Sequence, residues 1–266
     1  MAAPSSKWAD LGPRALSAAL MVALGSAAVV AGGVWFQMLA VFVTAVMVWE
    51  LWTMIEPGGA TRGMLLAALV ASVMSGQLAA TGDYWLLLFL VAPVAGALAT
   101  TRERGTFFGF ALGVQVAGWG LVSFREAYGF EWILWLIGVV VVTDVAGYFA
   151  GRLVGGPKFW PRVSPKKTWA GTTAGWAGAA VVGALFEAWG GLTAPVGGIV
   201  LLSVLLSLAS QMGDIAESAL KRRMGVKDSS QLIPGHGGLF DRFDALLGAS
   251  LFMLVASALL GVPGQG

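Results

Sequence analysis

The sequence predicts an all-α, polytopic integral membrane protein with about nine transmembrane helices. Three observations lead there. Of 266 residues, 58% are hydrophobic and only 11% are charged, against roughly 25% charge in a soluble domain. Mean hydropathy is +0.81. The apolar residues also gather in runs of about 20, the length a helix needs to cross a hydrocarbon core. An ordinary soluble enzyme is excluded, because lipid must cover most of the outside. Disorder fails on apolar content. With no cysteine, disulfide scaffolds and thiolate-metal chemistry fail as well.

Nine runs separated by charge, Pro or Gly clusters are predicted as spans: 15–32, 34–55, 63–81, 84–100, 106–123, 132–152, 170–189, 195–213 and 239–261. The first two form a hairpin at Gly32-Gly33. Because the second run follows almost at once, a signal peptide starting at Lys7 and Arg14 is the weaker reading of the first. Residues 1–130 are expected to form an N-terminal region of about five helices. Residues 131–266 should form a catalytic region of about four helices with two basic loops, 152–169 and 221–238. In this arrangement all Lys and Arg except Arg125 fall on one side, which places that side and the N-terminus in the cytoplasm of a multi-pass cell-membrane protein. Trp8, Trp35, Trp85, Trp132, Trp160 and Trp189 lie near span ends, as interface anchors do. Gly109 with Gly113, and Gly171 with Gly175, have the four-residue spacing that lets helix backbones approach.

Acids at membrane depth cost roughly 2.5–3.5 kcal/mol on insertion scales, so each needs a reason. Spans three to five carry almost none. The second half carries Asp144 in span six, Asp214 and Glu217 at the end of span eight, and Asp241 and Asp244 at the start of span nine. Asp214, Glu217 and Ser218 share a helix face, and Asp241 with Asp244 repeats the i, i+3 spacing. Carboxylates facing one another across a helix pair suit Mg²⁺, which takes oxygen ligands. Ion pairing with Arg222, Arg242 or a lysine is the competing reading, strongest for Asp244 and Glu217.

The loop from Lys221 to Gly238 has a basic half, suited to phosphate or anionic headgroups, and a Gly-rich half. The glycines let backbone N–H groups approach an anion at the start of span nine, where the helix dipole also favours negative charge. A second basic segment, Ser164-Pro165-Lys166-Lys167-Thr168, enters span seven with two lysines, a hydroxyl and a helix N-terminus, a combination that would hold a polyphosphate. His236 is the one histidine, so multi-histidine metal sites are excluded. A metal ligand, a phosphate donor and a loop-folding hydrogen bond all remain open for it.

Ser218 to Asp244 resembles the signature of the phosphatidate cytidylyltransferase, or CDP-diacylglycerol synthase, family. Ser218, Lys221, Arg222, Lys227, Asp228, Ser230, Pro234, His236, Gly237, Gly238, Asp241, Arg242 and Asp244 all fall where that pattern wants them. Thr143-Asp144 with Tyr148 and Gly151, and the Ser164–Trp169 lysine segment, are similar to two further family motifs. Ala170 stands where the family commonly has an acid, and Val145-Ala146-Gly147 departs from the usual residues after the aspartate.

The resemblance implies transfer of CMP from CTP to phosphatidic acid, giving CDP-diacylglycerol and pyrophosphate. It implies Asp214 and Asp241 as ligands of a divalent metal, normally Mg²⁺, which a monovalent cation such as K⁺ can accompany. Asp144 is then a third acid of the site. Lys166, Lys167, Lys221 and Arg222 neutralise phosphate, and Thr168, Ser218, Lys227, Asp228, His236, Gly237, Gly238, Arg242 and Asp244 contact the substrates. The partners are CTP, phosphatidic acid and membrane lipids, with no nucleic acid and with a homodimer as the family expectation. The alternatives are another member of the same superfamily, either a polyprenol-type kinase or a cytidylyltransferase for an isoprenoid glycerol phosphate, and, from a different class, a transporter. A CDP-alcohol phosphotransferase is disfavoured because its D-G-x-x-A-R motif is missing.

Overall fold

A computed structural model describes residues 11–79, 83–189 and 197–260. Lys7, Trp8, the start of the eighth predicted run and the ends of the third and ninth lie outside the described residues, as do the side chains of Arg14 and Trp85. The helices are α1 (Leu11–Ala31), α2 (Gly33–Ile55), α3 (Ala60–Ala79), α4 (Val91–Ala99, preceded by a 3-10 segment over Asp83–Leu90), α5 (Arg104–Tyr128), α6 (Phe130–Leu153), α7 (Trp169–Ala188), α8 (Gly198–Met224) and α9 (Phe240–Leu260).

Six of these, α2, α3, α5, α6, α8 and α9, are long and apolar enough to cross a bilayer. The helical membrane-protein class therefore stands. The other three helices fall short: the apolar stretch of α1 is confined to Ala15–Ala31, α4 is short, and α7 is diluted by Gly, Thr and Trp.

One segment expected to be a loop is ordered differently. Between α6 and α7 the chain forms an antiparallel pair, β1 (Lys158–Trp160) and β2 (Ser164–Thr168). Its tip is closed by Val163 N–H donating to the Trp160 carbonyl, and its base by Trp169 N–H donating to that of Pro157. Phe159 packs edge-on against Trp169, with ring centroids 4.7 Å apart.

The helices divide into two compact units. One holds the chain up to Ala111 together with Val226–Arg242; the other holds Leu112–Gly225 and the chain from Phe243 onward. In the first, α2 packs on α1 and α3. Buried Trp52 lies edge-on to Phe107, with centroids 5.7 Å apart, and its indole N–H donates to the Gly59 carbonyl. A Cβ at Gly63 would come within 2.8 Å of that indole. Just past α2, Glu56 clamps the α4–α5 turn. One carboxylate oxygen accepts from the Thr100 hydroxyl (2.8 Å), the Thr101 N–H (2.6 Å) and the Thr101 hydroxyl (2.7 Å). These bonds, led by the Thr101 hydroxyl, hold its pKa down at about 2.

In the second unit α6, α7 and α8 pack on one another. Gly171 and Gly175 do bring backbones together: a Cβ at Gly171 would meet the Gly147 carbonyl of α6, and one at Gly175 would lie 3.1 Å from Thr143. At Gly109 and Gly113 an added Cβ would meet nothing within 4 Å. Trp132 is also no interface anchor, being 6% exposed and stacked edge-on with Trp135, whereas Trp35, Trp160 and Trp189 are exposed.

A polar stripe runs along α8. Ser203 accepts from the Trp135 indole (2.9 Å), Ser207 from the Thr143 hydroxyl (2.8 Å), and the Gln211 amide oxygen from the Trp176 indole (3.0 Å). Such bonds hold helices together where water is absent. Helices α8 and α9 meet at Gly213 and Gly248. A Cβ on Gly213 would run into the Asp244 carbonyl and lie 3.1 Å from the Gly248 Cα.

Two outcomes are expected. Gly213→Leu should force α8 from α9 and cost about 1–3 kcal/mol, read as a lowered unfolding temperature in detergent with reduced activity. Glu56 contributes stability fully above its ordinary pKa of 4.5, and this contribution is lost as pH falls toward 2. Glu56→Gln should therefore flatten the acid limb of the pH–stability curve between those values.

Candidate active site

The α8–α9 crossing brings acids together. Asp214 follows Gly213 directly, and Asp244 lies one turn before Gly248. With Glu217, one turn further along α8, they offer carboxylate oxygens within 4.8 Å of one another. Asp144 on α6 lies within electrostatic range of Asp214, and Asp244 within range of both.

Four acids this close need counter-charge, and two lysines supply it. Lys167, at the end of β2, forms an ion pair with Asp214. Lys221, one turn beyond Glu217 on α8, pairs with it at 2.6 Å. Glu217 is 1% exposed, so an unmatched charge there would be prohibitive. The Ser218 hydroxyl donates to Asp214 (3.3 Å). Thr168 N-caps α7, its hydroxyl accepting from Gly171 N–H. Arg222 and Arg223 join Lys221 in the last turn of α8, where cations complement the helix dipole. Lys166, Arg222, Lys227 and Asp228 have exposed side chains.

The loop Val226–Arg242 belongs to the other unit, and two carboxylates build it. Asp241 Oδ2 accepts from Ser229 N–H (2.8 Å), the Ser229 hydroxyl (2.7 Å) and Gly238 N–H (2.8 Å). Arg242 donates two bonds to the His236 carbonyl, at 3.0 and 2.6 Å. His236 Nδ1 faces the Ser17 hydroxyl at 2.9 Å.

The second carboxylate was not anticipated. Glu50, fully buried in α2, accepts from the Ser229 hydroxyl (3.3 Å), the Ser230 hydroxyl (2.6 Å), Leu239 N–H (2.9 Å) and Phe240 N–H (2.7 Å). The free N–H groups at the start of α9, expected to receive a ligand's anion, thus receive one of the protein's own. The glycines have the corresponding reason. A Cβ at Gly237 would lie 2.7 Å from Asp241 Oδ2, on a backbone at φ +84, and one at Gly238 would collide with Glu50 and Ser229.

The structure therefore gathers Asp144, Lys167, Asp214, Glu217, Lys221 and Asp244 in one cluster. It gathers Ser229, His236, Gly237, Gly238, Asp241 and Arg242 around the loop. Asp241, expected beside Asp214 as a metal ligand, has one oxygen taken up by loop donors. Glu50 was legible in principle, since it is an acid inside predicted span two and an acid at that depth needs a partner.

The model of the cytidylyltransferase family matches residues 13–260. The chain belongs to this family. Among its relatives, the phosphatidate cytidylyltransferase of Brucella suis biovar 1 (strain 1330) is 40% identical over 240 residues, 87% of each chain. That of Bacillus subtilis (strain 168) is 40% identical over 134 residues, 50% of each chain. That of Staphylococcus epidermidis (strain ATCC 12228) is 36% identical over 152 residues, 55% of this chain and 58% of its own. A cytidylyltransferase is a nucleotidyltransferase, so the cluster of acids and lysines belongs to an enzyme that handles a nucleoside triphosphate.

For this cytidylyltransferase, Glu50→Leu should leave the Ser230 hydroxyl and the Leu239 and Phe240 N–H groups without this acceptor, at about 1–3 kcal/mol each before relaxation, while the Ser229 hydroxyl keeps Asp241. The expected result is loss of a stable fold in detergent. Glu50→Gln, which keeps one acceptor oxygen, should fold with a lowered unfolding temperature, and wild-type stability in both variants would contradict the role.

Proposed function

We propose that the protein is a phosphatidate cytidylyltransferase working on the cytoplasmic side of a multi-pass, nine-span membrane fold. The reaction joins a phosphate oxygen of phosphatidate to the α-phosphorus of CTP and breaks the bond from that phosphorus to the bridging oxygen. Pyrophosphate leaves with the bond's electron pair. The nucleophile is already ionised at neutral pH, so no general base is needed, and catalysis reduces to positioning and charge neutralisation.

The cluster of Asp214, Glu217 and Asp244, matched by Lys167 and Lys221, is the observation that supports this most directly. Its donor set is all carboxylate oxygen, which fits a hard divalent ion such as Mg²⁺. Asp214, Glu217 and Asp244 would hold it, with Asp144 nearby, and the family pattern adds Asp241. When bound, the ion would supply positive charge against the triphosphate and the departing pyrophosphate. Lys167 and Lys221 bring ammonium groups to the same place. Lys166 and Arg222, both exposed, supply further charge to the triphosphate. The loop residues Lys227, His236, Gly237 and Gly238 are assigned to the nucleotide. A cytoplasmic location is supported by the cations, of which all but Arg125 lie on one side of the nine-span arrangement.

Purified protein given phosphatidate and CTP labelled at the α-phosphate should yield labelled lipid with matching release of pyrophosphate. Label entering lipid only from the γ-phosphate would replace this reading with a kinase. Asp214→Asn should lower turnover at least about 100-fold while unfolding temperature holds. Near-normal turnover across a range of Mg²⁺ concentrations would remove Asp214 from the site.

A further inference from the structure

No acid lies between Asp144 and Glu187, yet this stretch carries Arg152, Lys158, Arg162, Lys166 and Lys167. Lys167 is paired with Asp214. The other four are exposed, and among the described residues none forms an ion pair. They are not strung along a loose loop. Helix α6 ends at Leu153 and α7 begins at Trp169, and the two helices pack on one another. The β1–β2 hairpin therefore sits at their shared end, beyond the end of the apolar, bilayer-length helix α6. Large apolar side chains lie among the cations, with Leu153 82% and Trp160 48% exposed. Cations alone are the ordinary mark of a cytoplasmic loop. Cations interleaved with an exposed Leu at the end of α6 and an exposed Trp on the ordered hairpin make a surface suited to lipid headgroups.

Charge complementarity and continuity with the acid cluster identify the occupant. An anionic lipid approaching Asp144, Asp214, Glu217 and Asp244 is repelled unless positive charge lies on its path. Strand β2 carries Lys166 and then Lys167, the partner of Asp214, so the basic surface runs directly into the cluster. A phosphomonoester headgroup carries about −1.5 to −2 at neutral pH, as phosphorylated side chains do, against one negative charge on a phosphodiester lipid. The surface formed by Arg152, Lys158 and Arg162, none of which forms an ion pair among the described residues, therefore favours the monoester.

We propose that the β1–β2 hairpin and the end of α6 form a docking surface for the phosphomonoester headgroup of the lipid substrate, gathering it from the bilayer plane beside the acid cluster. This rests on phosphatidate being the substrate.

The test uses the full chain reconstituted in phosphatidylcholine vesicles, with initial rates measured against the mole fraction of phosphatidate. Each cation near a charged membrane surface is worth about fivefold in binding. The Lys158→Gln/Arg162→Gln double variant should therefore raise the half-saturating mole fraction by roughly 25-fold, with kcat at saturation and the KM for CTP unchanged. The charge-preserving pair Lys158→Arg/Arg162→Lys should behave as wild type. An unchanged half-saturation, or a loss confined to kcat, overturns the proposal. Phosphatidylglycerol at an equal mole fraction distinguishes the lipids. If it leaves the difference between wild type and double variant intact, the surface selects the monoester; if it abolishes that difference, the surface is a general anionic anchor and the proposal fails. Wild-type protein yielding no labelled lipid at any phosphatidate fraction rejects instead the substrate assignment beneath it.

Discussion

Ionised groups in a hydrocarbon environment are costly unless matched, and the arrangement of both units follows from how that matching is done. The protein uses two solutions. Glu50 is met by neutral donors, two hydroxyls and two backbone N–H groups at a helix start. Asp214 and Glu217 are met by lysine ammonium groups. The first solution saturates a carboxylate with fixed dipoles and makes it structural. The second sets carboxylates and ammonium groups side by side as ion pairs.

Glycine is what allows either solution to be built. At Gly213 and Gly248 the absence of side chains sets the approach of α8 and α9, and hence the separation of Asp214 from Asp244. At Gly237 and Gly238 the same absence lets Asp241 and Glu50 reach the backbone. The high glycine content, 38 residues, is therefore concentrated in effect at a few crossings. At Gly109 and Gly113, with the same spacing as Gly171 and Gly175, an added Cβ would meet open space. Spacing marks where helices can approach, and only the partner helix decides where they do.

The membrane class, the helical runs and the polar residues of the second half were legible because hydropathy and intramembrane charge act locally along the sequence. Each predicted run overlaps a helix, although α8 continues to Met224, well past the end placed at 213, and among the described residues six helices meet the length and apolarity needed to span alone. The β1–β2 hairpin was missed because its strands are three and five residues long and its composition reads as a basic loop. Glu50 was missed for a different reason. Its partners lie 179 to 190 residues away, and nothing local announces them. Asp241 differs in that its loop partners, Ser229 and Gly238, are only 12 and 3 residues away, yet its i, i+3 spacing to Asp244 directs attention to a shared task rather than to these donors.

That separation also orders events during synthesis. At about 5–20 residues per second, the start of α9 emerges on the order of 10–40 s after Glu50. Throughout that interval α2 carries a carboxyl group whose four donors do not yet exist. Until they do it needs other polar partners, because an unmatched acid at that depth resists insertion. Formation of the loop both completes the helix start and removes this liability. Arrival of the start of α9 is thus the step that gives the buried Glu50 of α2 its backbone partners.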